Sequence, residues 1–265
     1  MGATERKPIL EMHGVSKRFG AVQALSDVDF EVYLGEVVGL VGDNGAGKST
    51  LIKIISGVYH PDAGQYVFDG REVTVNTPRD ATALGIETVY QDLALCDNLD
   101  VVGNLYLGRE RVRPVIPGIL KTIDELAMEQ EAIRIVDELH VRIPSVRSRV
   151  ASLSGGQRQS TAVSRAVMWN SKVVLLDEPT AALGVEQTRQ VKELIRRLRD
   201  RGLGVVVISH NLADVFDVCD RIIVLRLGKR QATFETNTTN AEQVVAAITG
   251  AEFGTTDNGK NKPEV

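Results

Sequence analysis

The sequence predicts an α/β fold built on a mostly parallel sheet. Three observations carry that expectation. Glu36 to Val41, Val173 to Leu176, Val205 to Ile208 and Ile222 to Leu225 are short apolar runs, suited to strands covered on both faces. A helical pattern lies between the second and third of them, with Val191, Leu194, Ile195 and Leu198 at i, i+3, i+4 and i+7. Finally, glycine-rich sequence joins Val41 to the apolar residues Leu51, Ile52, Ile54 and Ile55. The order there is strand, loop of phosphate size, helix.

Smaller elements fill in around these. Tyr66 to Phe68 and Arg71 to Val75 flank Asp69-Gly70, a two-residue hairpin signal. A polar, helical stretch occupies the middle, with Ile123, Leu126, Ala127, Ile133, Val136 and Leu139 expected on one face. Before it, GRERVRPVIPG carries Pro114 and Pro117, expected to break regular structure, and Arg109, Arg111 and Arg113, which read as a solvated charge run or an anion site. Asn240 before AEQVVAAIT and Gly250 after it predict a capped helix. The last residues, 254–265, are polar and read as a frayed tail.

Composition narrows the function. The 265 residues carry 31 Lys and Arg against 35 Asp and Glu, a net charge of −4. That balance argues against a polybasic nucleic-acid surface. With 43% hydrophobic and 25% charged residues the chain can bury a sizeable core. Cys96 and Cys219 stand far apart without a Cys/His cluster, which disfavours a disulfide framework or structural zinc and fits a reducing compartment. The opening MGATERKPILEMHG has no apolar run of signal-peptide length, and Arg6 replaces the Ser or Thr of a myristoylation motif. No run approaches the ~20 residues of a membrane span. Any membrane role is expected to come through a partner.

The chemistry concentrates in four places. Gly42-Asp43-Asn44-Gly45-Ala46-Gly47-Lys48-Ser49 matches G-x-x-x-x-G-K-[ST] between a strand and a helix. Its glycines let backbone N–H groups close on phosphates, Lys48 reaches the terminal phosphates, and the Ser49 hydroxyl can ligate Mg²⁺. VVLLDE ends a strand in Asp177 and Glu178, the first suited to the Mg²⁺ of a nucleotide, the second to orienting or deprotonating a water. Leu153-Ser154-Gly155-Gly156-Gln157 precedes a helix-like segment and reads either as an ordinary N-cap or as an anion site. His210 follows a strand with Ser209 between, and is structural unless it faces the same cleft.

Taken jointly and in order, these residues resemble the ATP-binding-cassette (ABC) ATPases. The likeness spans Phe19, where an aromatic stacks on adenine, through GDNGAGKST, Gln91 at the Q-loop, LSGGQ and VVLLDE to the switch His210. It implies a P-loop NTPase core with a mostly parallel sheet, an N-terminal antiparallel β subdomain and an inserted α-helical subdomain at about residues 93–165, within a single domain over 1–253. It implies ATP and Mg²⁺ as cofactors. Gly42, Asn44, Gly45, Gly47, Lys48, Ser49 and Thr50 would hold the phosphates, and Ser49, Gln91 and Asp177 the metal. Glu178 would act on the hydrolytic water, with His210 and Gln91 completing the catalytic set. Ser154, Gly155, Gly156 and Gln157 would cap the γ-phosphate of an opposite protomer in a head-to-tail homodimer, so that two copies build two complete sites.

One motif departs from the family. Ala181-Ala182-Leu183-Gly184 stands where Ser-Ala-Leu-Asp is common, and Gly184 cannot supply the contacts of that Asp between protomers. The wording EPTAALG, with VYQDLALCDNLDVVGNLYLGRE, is similar to bacterial monosaccharide-importer ATPases of fructose, ribose and xylose type, in single-cassette form. That branch implies two transmembrane permease subunits, an extracytoplasmic sugar-binding protein and peripheral attachment to the cytoplasmic face of the inner membrane. The alternatives are an ABC ATPase driving lipid, ion or drug export, a DNA-repair or ribosome-associated cassette, and an ATP sensor without turnover.

Overall fold

The computed structural model describes residues 7–116 and 120–251. The polar segment 254–265, and with it the frayed-tail reading, lies outside the described residues, as does Pro117. Two antiparallel strands lead, β1 (Leu10–Phe19) and β2 (Val22–Val32), with Met12 opposite Phe30. After them come β3 (Glu36–Val41) and α1 (Lys48–Ile55), then β4 (Ala63–Phe68) and β5 (Arg71–Glu72). The last two form the hairpin read from Asp69-Gly70, although β5 is shorter than the apolar run implied. Both turn residues take positive φ, 53° and 70°, the backbone such a two-residue turn requires. Next are α2 (Pro78–Leu84), capped by Thr77 and Asp80 in a reciprocal box, β6 (Ile86–Val89) and α3 (Val101–Tyr106). The middle holds β7 (Val112–Ile116), β8 (Leu120–Ile123), α4 (Glu125–Glu138) and α5 (Gly155–Val167). The chain closes with β9 (Val173–Asp177), α6 (Val185–Asp200), β10 (Gly204–Ile208), α7 (Leu212–Val218), β11 (Arg221–Arg226), β12 (Lys229–Glu235) and α8 (Ala241–Thr249).

The central sheet has the order β12-β11-β3-β10-β9-β6, parallel throughout except for the edge strand β12. Alternate side chains of a strand point to opposite faces, and here both sets are buried. Val38, Leu40, Leu175 and Val206 share a cluster with Leu51 and Ile52 of α1 and with Met12 and Phe30 of the four-stranded antiparallel sheet β2-β1-β4-β5. Val37, Leu176, Val205 and Val207 pack with Val163 of α5, Leu194 of α6 and Val215 of α7. The expected α6 stripe of Val191, Leu194, Ile195 and Leu198 is buried throughout. Asn240 caps α8 by accepting from the Gln243 N–H, and Gly250 ends it at φ 75°.

The inserted segment departs from expectation. Its core joins Val101, Leu105 and Tyr106 of α3 to Met128, Ala132 and Val136 of α4, with Val150 and Leu153. The buried stripe of α4 and its end is Met128, Ala132, Ile135, Val136 and Leu139, which shares only Val136 and Leu139 with the face proposed from sequence. Leu126 and Ile133 are exposed, and Ile123 belongs to β8. The reason is angular: at 100° per residue the observed set lies on one side of the helix, and Leu126 and Ile133 fall on the other. Pro114 does not break regular structure. It sits within β7 opposite Lys121 in an exposed two-stranded ribbon, where a missing N–H is tolerated. Arg109 pairs with Glu87 at 3.1 Å and lies over the Trp169 ring, and Arg111 lies over Tyr106, so both are engaged within the chain.

Candidate nucleotide site

The site forms where parallel strands end and loops begin. β3 ends at Val41, and the loop from Gly42 turns into α1 at Lys48. Gly42 has φ 150°, and a Cβ there would lie 2.2 Å from the Leu225 carbonyl oxygen. Gly47 has φ 107°, and a Cβ would meet the Ala24 carbonyl oxygen at 2.8 Å. Neither position admits another residue without strain. The loop is braced from below, because the Gly228 N–H donates to the Ala46 carbonyl at 3.0 Å and the Ser26 N–H to the Gly228 carbonyl at 2.7 Å.

Beside the loop opens a cavity of about 700 Å³, lined by Asn44 through Thr50, Gln91, Asp177, Glu178 and His210. That volume suits a nucleotide-sized ligand. The Lys48 ammonium donates to the Gly42 and Asp43 carbonyls at 2.7 and 2.9 Å. Burial lowers its pKa, and the charges of Glu178, Asp43 and Asp177 oppose that shift. Asp177 ends β9 with its carboxyl held above the usual carboxylate range, first by burial and then by the neighbouring Glu178 charge. Glu178 takes φ 49°, in the left-handed region, and its N–H donates to the Ile208 carbonyl at 2.9 Å. The carboxylate turns toward His210, whose Nδ1 stands 2.8 Å from Glu178 Oε2. Glu178 is sheltered, with 17% of its side chain exposed, whereas the imidazole is 75% exposed at the mouth.

Most of the residues expected from sequence thus converge: Asn44, Gly45, Gly47, Lys48, Ser49, Thr50, Gln91, Asp177, Glu178 and His210 line one cavity, with Gly42 at the root of its loop. Phe19 stands apart from that lining, at the end of β1, 42% exposed and edge-on to Tyr59 with ring centroids 5.1 Å apart. Ser154, Gly155, Gly156 and Gln157 lie at the start of α5, outside the cavity. Ser154 Oγ accepts from the Gln157 N–H and Gln157 Oε1 from the Ser154 N–H. A Cβ on Gly156 would lie 2.9 Å from the Gln187 side chain, so this turn is pressed against α6. Gly184 caps α6 at φ −70° with no atom within 4 Å of a Cβ, so nothing in the backbone demands glycine there.

Sequence reasoning missed five contributors. Val22, Gln23 and Ala24 also line the cavity, brought from the antiparallel sheet with no local motif to mark them. Arg165 of α5 donates to the Leu93 and Ala94 carbonyls at 3.1 and 2.9 Å, fastening the loop after Gln91 to the helix that Ser154 opens. The fully buried Asn104 holds the far end of that loop through Cys96, accepting its N–H at 2.7 Å and donating to its carbonyl at 3.0 Å.

A parallel sheet bearing a glycine-rich lysine loop at one strand end defines a class, the phosphate-loop nucleoside triphosphatases. Within it, the chain belongs to the ABC transporter family, which matches residues 25–181, and is an ABC-type ATPase. It is 46% identical over 254 residues to the xylose/arabinose import ATP-binding protein XylG of Sulfolobus acidocaldarius, covering 96% of this chain and 99% of the relative. Identity is also 46% to the fructose import ATP-binding protein FrcA of Rhizobium meliloti, over 93% of this chain and 96% of the relative. Against the ribose import ATP-binding protein RbsA 1 of Rubrobacter xylanophilus, 84% of this chain matches 43% of a longer protein at 44% identity. Among solved structures, the ADP conformation of MJ1267, an ATP-binding cassette of an ABC transporter, superposes with a TM-score of 0.77 at 25% identity, covering 92% of this chain and 96% of that one. The dimeric, post-hydrolysis ATP-binding cassette MJ0796 bound to ADP and Pi gives 0.69 at 25% identity, over 86% and 98%.

Proposed function

We propose that this chain is the ATP-hydrolysing subunit of an importer that moves a monosaccharide through a separate membrane permease. The observation that carries the chemistry is the Glu178–His210 contact of 2.8 Å above the lysine loop. The sugar rests on the near full-length likeness to a xylose/arabinose and a fructose import protein. In this reading residues 1–253 form one cassette whose inserted part, about 93–165, receives the permease near Gln91. The chain attaches peripherally at the cytoplasmic face of the inner membrane, with an extracytoplasmic sugar-binding protein supplying the cargo and no nucleic acid as partner. No helix among the described residues is long and apolar enough to cross a membrane.

Asn44, Gly45, Gly47, Lys48, Ser49 and Thr50 hold the nucleotide phosphates in this reading, and Phe19 takes the adenine. Glu178 orients the attacking water and accepts its proton, while His210 fixes that carboxylate and reaches the γ-phosphate. Ser49, Asp177 and Gln91 offer the hard oxygen donors that Mg²⁺ prefers. No group of three or more His, Cys, Asp or Glu that could hold a metal ion occurs among the described residues. Held by Ser49, Asp177 and Gln91, Mg²⁺ would supply positive charge against the phosphates of the nucleotide. Ser154 to Gln157 cap the γ-phosphate of a second copy.

Pull-down of the tagged Glu178→Gln chain from its native membranes with Mg²⁺·ATP tests this. Recovery of a multi-span permease with a sugar-binding protein is the expected result. Recovery of an exporter subunit, ribosomes or DNA-repair factors would keep the ATPase and discard the sugar.

A further inference from the structure

Asp214, near the start of α7, is buried and does not line the nucleotide cavity. Its carboxylate gathers three elements. Oδ2 accepts from Thr180 Oγ1 at 2.8 Å and from Asn211 Nδ2 at 3.0 Å. Oδ1 faces Lys192 Nζ of α6 at 3.2 Å. Thr180 is two residues beyond Glu178, and Asn211 is the neighbour of His210. Two strand-end loops, one from β9 and one from β10, therefore close on a single oxygen. The charge is balanced locally: Lys192 also pairs with Asp217 at 2.7 Å, and Asp217 pairs with Arg196.

The need for such a tie follows from the backbone. Glu178 holds a left-handed φ of 49°, which a non-glycine residue keeps only when its surroundings over-determine it. The Glu178 N–H donates to the Ile208 carbonyl and its own carbonyl accepts from the Ala181 N–H at 3.1 Å; Pro179 between has no N–H, and the Thr180 hydroxyl ties this turn to Asp214. On the other loop, Asn211 is fixed by its N–H to Ser209 Oγ at 3.0 Å and by capping the Ala213 N–H. His210 itself is exposed, and its imidazole meets the Glu178 carboxylate, so its placement depends on its neighbours.

We infer that Asp214 is a positioning residue for ATP hydrolysis, setting the separation of Glu178 and His210 by clamping Thr180 and Asn211 and fastening both to α6 through Lys192. This rests on the proposed roles of Glu178 and His210. Because α6 follows the Ala181-Ala182-Leu183-Gly184 segment, the same carboxylate also anchors the start of that segment within the chain, where Gly184 offers no side chain to a partner copy.

The test measures kcat and KM for Mg²⁺·ATP by phosphate release, ATP affinity by equilibrium titration, and Tm, all on the full chain. Asp214→Ala is expected to lower kcat by about 10- to 100-fold, the cost of a small misplacement, with ATP affinity within about twofold of wild type. Thr180→Val, which keeps the shape and removes one donor, should lower kcat less and leave Tm unchanged. Asn211→Ser keeps a capping oxygen and removes the other donor, with a similar partial loss. Adding Thr180→Val to Asp214→Ala should cause no further loss, since the bond is already gone. If Asp214→Ala does not fold, the two loop variants decide. Wild-type kcat in both, or losses in Tm alone, would overturn the inference. Glu178→Gln runs in parallel. Full activity there would overturn the Glu178 assignment and this inference with it, whereas an inactive Glu178→Gln beside a fully active Asp214→Ala would remove only the role of Asp214.

Discussion

Two glycine-rich turns open helices in this protein, and they are built for different work. The turn before α1 is folded into the sheet: its glycines press on the Leu225 and Ala24 carbonyls, its lysine is half-buried, and two carboxylates stand across the cavity. The turn before α5 is self-capped by Ser154 and Gln157, its Ser154 and Gly155 are exposed, and its close packing is against Gln187 of α6. The first has a cation, the proposed base and the oxygens proposed to hold Mg²⁺ within one cavity. The second has backbone donors, a hydroxyl and a helix N-terminus, which can bind an anion but cannot hydrolyse it. Capping does not disable it, since a serine hydroxyl that accepts the Gln157 N–H still has its own proton to donate. In the proposed reading the chain carries the two halves of a phosphate site on separate surfaces, and the head-to-tail dimer would bring them together.

The sharpest way to break the comparison is to disarm one turn at a time. Glu178→Gln should reduce turnover by about 10²- to 10⁴-fold while ATP binding and the ATP-dependent dimer persist, read by phosphate release and sedimentation. Lys48→Ala should instead lose nucleotide affinity; unchanged binding would overturn the assignment of the loop. Glycine substitutions separate the turns next. Gly47→Ala should cost about 1–3 kcal/mol, because its φ of 107° strains any side chain. Gly155→Ala, free of positive φ, should stay within about 0.5 kcal/mol of wild type, both measured by denaturant unfolding.

Ser154→Ala removes the N-cap of α5 and should cost about 1 kcal/mol of stability, together with loss of ATP-dependent dimerisation. If stability falls and the dimer survives, the hydroxyl serves the helix alone. A small effect on stability is expected at Asp177. Its carboxyl is held above the usual range, so it binds protons more readily folded than unfolded, and its stability contribution is lost as pH rises through the raised value. Asp177→Asn should therefore raise Tm slightly at neutral pH and leave Tm little changed in acid, while weakening Mg²⁺ dependence. A fall in Tm at neutral pH would show that the carboxylate is paid back by contacts in the fold.

Much of this was legible in the sequence. The run EVVGLV became β3 residue for residue, the Asp69-Gly70 hairpin formed, and Asn240 and Gly250 bound α8 at both ends. Each depends on neighbours in the chain: which φ a glycine admits, which side chain reaches an N–H three residues on, whether an apolar run is long enough for a strand. The functional motifs share that property, and the lysine loop, Asp177 and Glu178 come together at the strand ends on one cavity.

Other features were settled only by tertiary packing. Which stripe of α4 is buried depends on where α3 lies, and residues such as Leu126 and Ile133 are apolar yet exposed. Pro114 is tolerated in β7 because that ribbon has an open edge, a fact about neighbours rather than about proline. The Asp214 clamp joins residues from α7, α6 and two loops, and Arg165 reaches back over 71 positions to Ala94. The sequence by itself determined where phosphate chemistry can occur, because that depends on local backbone freedom and adjacent side chains. Only the folded chain decided what faces the site and what holds its residues apart, because burial and long-range hydrogen bonds exist once distant segments share the same space.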